Sequence, residues 1–409
     1  MSNIFKRCFK DIKKEPIEYF VALFCVLGNG AWVSVENTRL YTFSLIIVLA
    51  IYLLIKDRKV SFDYWLFPLV FLIVWPIIAT LLKLSPTSNL LNLFATTLLF
   101  GIISLYSRRK IARILDKYAQ IIVVLAVLTI VMKILLLFVP FLYNLAQKKN
   151  TEFGYYYNFF FYTKPATLSF RSQSIFWEPG VWSVNQMFAL AWYTIFRKDL
   201  KFYPIFLLSM LFTMSTTGLA LFAVISVYIF FFSDLKIPKK KIIIVLGLIS
   251  LILAITLPYL VQKYDIDLGN VIYMQTVGKV TTKNASYNDR LDATLTTWHI
   301  TKENPLFGIG RSTRVYVTSA SLEILYQTGI PFFLIYFLAF SRVFKGMTWF
   351  LAIPYVLIFM NGEPLGFLNL YTFIVIFGCK IFFSKDQEVL GLLEDTHTKF
   401  LLKRSRFNA

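Results

Sequence analysis

Long apolar runs alternate with short polar links along almost the whole chain. The runs predict helices near 17–35, 40–55, 66–83, 90–106, 118–139, 180–196, 202–214, 217–232, 242–260, 316–340, 348–360 and 367–383. A helix needs about 20 apolar residues to cross a bilayer. The pattern therefore predicts an all-α, polytopic integral membrane protein of about twelve transmembrane helices, one membrane domain over 1–409. The runs at 202 and 348 are short enough for one of them to be re-entrant. Two stretches break the rhythm: residues 140–179 and 261–315 are too long, and too rich in Arg, Lys, Asn and Thr, to be plain connectors. Residues 384–409 form a polar tail.

Charge adds orientation to this picture. Basic residues fall on alternate short links: Lys6, Arg7, Lys10, Lys13 and Lys14; Lys56, Arg58 and Lys59; Arg108, Arg109, Lys110, Arg113 and Lys117; Arg197, Lys198 and Lys201; Lys236 and Lys239 to Lys241; Arg342 and Lys345. The intervening short links hold Arg39 and Lys83. Because basic loops stay on the cytoplasmic side, both termini and the 384–409 tail are expected there, with both long polar stretches outside. The net charge of +20 would suit nucleic acid, yet no basic domain stands clear of the bilayer, so no nucleic-acid partner is expected. Composition agrees, with 57% hydrophobic residues and a mean hydropathy of +0.65.

Cys8, Cys25 and Cys379 lie outside the two polar stretches, which excludes a disulfide or thiolate metal site there. The N-terminus has basic residues before its first apolar run but no small-residue cleavage site, so an uncleaved first helix is expected. Lys133, inside an apolar run, is expected to snorkel to the outer interface.

The candidate chemistry sits in the two outer stretches. In the first, Tyr155, Tyr156, Tyr157, Phe159, Phe160, Phe161 and Tyr162 suit an interfacial aromatic belt. Arg171 and Glu178 follow, and Pro179 suits the first turn of the next helix, placing Glu178 at its N-terminal end. The helix dipole favours an ionised, weakly basic carboxylate there, which can cap the helix, hold an arginine or act in catalysis. In the second stretch Arg290 opens a helix in which Leu291, Leu295 and Trp298 share one face. His299 stands opposite Arg290; it is a base, the partner of Asp292 or a residue at the interface.

Downstream, Gly308 and Gly310 allow close backbone approach, and Arg311 and Arg314 can grip a phosphate in bidentate fashion. Arginines in outer loops run against the inside preference, which points to an anionic ligand. Asp265 and Asp267 have a spacing that can hold a divalent cation beside a diphosphate, but two acids on a loop commonly occur by accident, so neither metal nor cofactor is expected.

Taken together, Arg171 with FWEPG (Phe176 to Gly180), MSTTG (Met214 to Gly218), Arg290 with Trp298 and NPLFGIG (Asn304 to Gly310), and LEILYQTGIPFF (Leu322 to Phe333) resemble the bacterial O-antigen and capsule polymerases of the Wzy type, in the O-antigen ligase/polymerase superfamily. The resemblance implies a GT-C-like glycosyltransferase in the bacterial cytoplasmic (inner) membrane. It would pass a glycan from one polyprenyl diphosphate carrier to a hydroxyl of another carrier-linked repeat unit. Arg171, Arg290, Arg311 and Arg314 would hold the diphosphate, and Glu178, Arg290 and His299 are the catalytic candidates. The implied partners are lipid-linked glycans and the bilayer, with a chain-length regulator and a flippase of the same pathway. Ligases of the superfamily typically carry a His before the LEILYQTG-like run, where this chain has VTSAS (Val317 to Ser321). That favours a polymerase and leaves the base open among Glu178, His299 and substrate-assisted proton loss.

Overall fold

The computed structural model describes residues 15–32, 38–56, 66–82, 87–151, 154–159, 161–165, 171–233, 285–310 and 315–381. Its helices are α1 (Pro16–Leu27), α2 (Thr38–Lys56), α3 (Leu66–Leu82), α4 (Thr87–Ser104), α5 (Arg108–Phe138), α6 (Pro179–Ile195), α7 (Tyr203–Thr213), α8 (Thr216–Val227), α9 (Ala285–Glu303), α10 (Ala320–Val343), α11 (Trp349–Met360) and α12 (Asn369–Ile381). The fold is mostly helical, and helices stand on the apolar runs of the sequence except 242–260, which lies outside the described residues. By length and composition α5 and α10 are long and apolar enough to cross a membrane, and most of the others are shorter apolar helices.

α6 is the centre of the bundle. Every one of its side chains is buried, and α5, α7 and α8 pack around it. α12 is buried along its whole length too, against α10. The outward faces of the other helices are apolar, as at Ile47, Leu81, Phe94 and Leu135, which suits a lipid surround and would be costly in water. α5 begins ten residues before the apolar run, since the basic stretch RRKIARILDK is itself helical. At about 1.5 Å per residue its 31 residues outreach the ~30 Å hydrocarbon core. The excess carries Asp116, which accepts hydrogen bonds from Arg197 Nε at 2.6 Å and Trp192 Nε1 at 3.1 Å. It also carries Lys117, paired with Glu15 at 2.9 Å. These pairs tie α5 to α6 and α1, and each buried charge has its partner.

The first polar stretch is not irregular throughout. A 3-10 turn (Pro140–Leu145) leads into a three-stranded antiparallel sheet, β1 (Gln147–Thr151), β2 (Gly154–Asn158) and β3 (Thr163–Pro165), in the order β1-β2-β3. Aromatic residues favour strands where a half-buried pleated surface is available, and Tyr155, Tyr156 and Tyr157 stand in β2. Tyr156 is buried edge-on against Trp32, and Tyr162 is buried with its hydroxyl 3.2 Å from Ser172 Oγ. Lys133 is 4% exposed and within electrostatic reach of Lys164 of β3, whose Nζ donates to Tyr143 Oη at 2.6 Å.

α10 is broken in mid-course. Gly329 has φ 80° and ψ 176° and is followed two residues later by Pro331, so the helical ladder stops there. The exposed backbone groups are taken up by NPLFGIG: Ile309 N donates to Tyr326 O at 2.9 Å, Gly310 N to Gln327 O at 3.0 Å, and Ile330 N to Pro305 O at 2.8 Å. Trp75 Nε1 from α3 donates to Thr328 O at 2.8 Å, and its ring stacks on Phe307 at 4.7 Å. A break inside a bundle is tolerated where other protein groups satisfy it. The close approach that Gly308 allows, at φ 62°, is to this broken helix, where an added Cβ would meet Tyr326 O at 2.4 Å. This seam sets α9 against α10 and so decides where Arg290 stands.

Candidate functional site

Glu178 is the N-cap residue of α6 with Pro179 at the first helical position, as the sequence predicts, but its carboxyl makes no capping hydrogen bond. It lies instead within hydrogen-bonding reach of the carboxyl of Glu363, in the turn between α11 and α12. Glu363 is 4% exposed, Glu178 partly exposed, and Arg290 exposed, so the pair runs from a buried floor toward an open rim. Gly180 makes room for this arrangement: a Cβ there would stand 1.9 Å from Glu363 Oε1. Burial, then the charge of Glu178 and the hydrogen bond between the carboxyls, push Glu363 well above the ordinary carboxylate range; Arg290 and Arg171 pull the other way.

Arg171 reaches the pair from a segment held on both sides. Trp32 N donates to Ile175 O at 2.9 Å and Trp177 N to Gly30 O at 3.0 Å, joining it to the chain after α1. On the other side Ser172 N donates to Phe212 O at 3.0 Å, and Arg171 Nη2 donates to Met214 O at 3.0 Å. Met214 closes α7 in the left-handed conformation (φ 49°), and Ser215 caps α8, so MSTTG is the tight turn expected of it. A guanidinium suits the negative end of α7, yet Arg171 Nε is buried without a hydrogen-bond partner among the described residues, and so are Gln173 Oε1 and Ser174 Oγ close by in the chain. Burial lowers the Arg171 pKa from its usual value, Glu178 and Glu363 raise it, and Arg290 lowers it again.

Arg290 arrives on α9, whose face of Ala293, Thr297 and Thr301 is buried, while Leu291, Leu295 and Trp298 are 42%, 57% and 49% exposed. Leu291, Leu295 and Trp298 thus point outward together with Asp292, Thr294 and Thr296, and the buried face is the narrow one of Ala293, Thr297 and Thr301. Arg290 lies on the inward side and acts electrostatically on both Glu363 and Arg171. His299 does not join them. It is exposed and pairs through Nδ1 with Glu303 Oε1 at 3.3 Å, not with Asp292. Arg311, Arg314, Asp265 and Asp267 lie outside the described residues.

Glu363 was not a candidate in the sequence, although a signal exists. NGEPLG (Asn361 to Gly366) repeats the Glu-Pro step of FWEPG, and the expected alternation of helices across the membrane would put the two on the same side. Around it, Glu323 Oε2 accepts from Gly366 N at 3.0 Å, and Ser321 Oγ donates to Asn361 Oδ1. Part of VTSAS is therefore spent on fixing this turn, with Ser319 capping α10.

Residues 203–337 match the family model described as O-antigen ligase. No curated protein and no solved structure matches the chain. The matched stretch holds Arg290, MSTTG, NPLFGIG and the first three-quarters of α10, whereas Arg171, Glu178 and Glu363 lie beyond it. The motifs and this match agree, and the likeness of residues 203–337 to that model supports the O-antigen ligase/polymerase superfamily.

Proposed function

We propose that this protein is a membrane glycosyltransferase that polymerises polyprenyl-diphosphate-linked repeat units into a surface polysaccharide, with both termini cytoplasmic and its site on the opposite face. The observation that carries this reading is the convergence of Arg171 and Arg290, from segments more than a hundred residues apart, on the carboxyl pair Glu178–Glu363. In the transfer, the acceptor hydroxyl oxygen bonds to the anomeric carbon of the donor glycan. The bond from that carbon to the diphosphate oxygen breaks, and its electron pair leaves on the lipid diphosphate. Guanidiniums are suited to that growing charge, since they are planar, always ionised and able to bind it in bidentate fashion. The hydroxyl proton passes to a nearby carboxylate, and Glu178, the more accessible of the two acids, is the one placed to take it. Arg311 and Arg314 are proposed to complete the diphosphate grip.

A ligase is the nearer second reading, favoured by the description of the matched family. Against it stands the absence of a histidine in VTSAS. The deciding experiment supplies the full-length protein in proteoliposomes with a lipid-diphosphate-linked repeat unit and a lipid A core. A ladder of elongated lipid-linked products supports the polymerase. Single transfer to a lipid A core and no ladder would make it a ligase, and movement of the substrate across the bilayer without elongation would make it a flippase or exporter.

A further inference from the structure

We infer that Glu363 is a positioning residue: it keeps a proton, donates it in a hydrogen bond to Glu178, and so aims one Glu178 oxygen at the acceptor hydroxyl. The inference rests on the reading above and concerns the same site. Two carboxyl groups cannot hydrogen-bond without a proton between them, and Glu363 is the buried member, 4% exposed, with its Oε1 seated in the space left by Gly180. The turn that carries it is fixed from two sides, by Glu323 on Gly366 N and by Ser321 on Asn361. The electrostatic setting points the same way, since burial and Glu178 together favour the neutral form of Glu363.

The charged and titratable groups around the pair come from every neighbouring element. Arg171 lies in the segment before α6, Arg290 on α9, Tyr371 on α12 and Glu323 on α10, while Tyr156 of β2 faces Glu178. Glu178 offsets one of the two guanidinium charges, and the proton on Glu363 leaves the other for an anionic ligand while keeping a second negative charge out of the buried floor. During transfer the acceptor proton moves to Glu178 and is then released to solvent. The Glu363 proton stays where it is throughout.

The test uses the full chain in nanodiscs and compares Glu363→Gln with Glu178→Gln. An amide at 363 still donates to Glu178, so Glu363→Gln should retain turnover within about 5-fold at neutral pH, while Glu178→Gln should lose on the order of 100-fold. The alkaline fall in the parent's pH–rate profile, caused by loss of the Glu363 proton, should vanish in Glu363→Gln. Infrared spectroscopy supplies a readout that needs no substrate: a protonated-carboxyl carbonyl band present at neutral pH in the parent and missing in Glu363→Gln. Absence of that band from the parent, or a Glu363→Gln loss as deep as that of Glu178→Gln, overturns the inference. A band that behaves as expected in a protein that builds no polymer would instead leave the pair intact and sink the polymerase reading.

Discussion

A Cβ placed on Gly180 would fall 1.9 Å from Glu363 Oε1, so the second residue of α6 and the acid between α11 and α12 occupy one another's only available space. Gly180→Ala should therefore displace the Glu363 side chain and, through it, Glu178. The clash is with the end of a side chain and not with backbone, so the protein should still fold and insert. A misplacement of about 1 Å at a reacting group can cost roughly 100-fold in rate, and a loss of that order in polymer formation at normal protein level is expected. Normal chain lengths in Gly180→Ala would show that the carboxyl pair does not need this geometry.

Glu363 also predicts the pH dependence of stability. Its native pKa is raised above the ordinary carboxylate value, so over the interval between the two the native state holds a proton that the unfolded chain has lost. The stabilisation is complete below the ordinary value and is lost progressively as pH rises to the raised one. Glu363→Gln carries no such proton. Thermal unfolding in detergent across that interval should show the parent losing stability with rising pH relative to Glu363→Gln; a constant difference between them would contradict the assignment.

The seam between NPLFGIG and the broken α10 should be sensitive to a single methyl group. Gly329 combines φ 80° with 2.2 Å between an added Cβ and Leu306 O, a backbone atom that cannot swing aside. Non-glycine residues in such a conformation cost about 1–3 kcal/mol before any clash is counted. Gly329→Ala should lower the unfolding temperature and the membrane level of the protein, and Trp75→Phe, which removes the 2.8 Å bond to Thr328 O, should do so more mildly by about 1 kcal/mol. An unchanged melting temperature in Gly329→Ala would remove the seam as a support for α9.

His299 should prove dispensable. It stands on the side of α9 away from Arg290 and forms an exposed i,i+4 pair with Glu303, an interaction of little energetic weight. His299→Ala should leave the pH–rate profile of polymer formation unchanged. A lost acidic limb in that variant would return the histidine to the list of bases.

Much of this architecture is legible in the sequence because a membrane imposes its period on composition: apolar runs of spanning length mark where helices stand, and Pro179 marks where α6 begins. What the sequence hides depends on which face is inside. The stripe of Leu291, Leu295 and Trp298 is easily read as a helix face, but apolar does not mean inward in a protein surrounded by lipid, and the structure turns that face out. The aromatic run before Arg171 reads as a belt because its strand pairing is set by the register of Lys148 to Tyr157 and Tyr157 to Lys164, which no local pattern announces. Glu363 escaped notice for a related reason. Its partner is 185 positions away, by the numbering of Glu178 and Glu363, and one acid in a short turn has no meaning until the helices bring the two Glu-Pro steps together.

Arg171 and Arg290 differ in a way that separates binding from folding. Arg171 Nη2 holds Met214 O at the end of α7, so Arg171→Ala removes a charge-assisted hydrogen bond worth about 1.5–3 kcal/mol as well as any contact with substrate. Arg290 is exposed, in the second turn of α9, and its side chain is positioned to act on the site without that structural duty. Arg290→Lys keeps the charge and loses the planar fork, so turnover should fall roughly 10-fold or more if the contact to the diphosphate is bidentate. Melting temperature and membrane level should stay at the parent's values, and lipid-linked single units should accumulate in place of long polymer. Arg171→Lys should impair both stability and turnover. If Arg290→Lys and Arg290→Ala both gave parental chain lengths at parental protein levels, Arg290 would be an ordinary solvated residue and the anionic half of the proposed site would be lost.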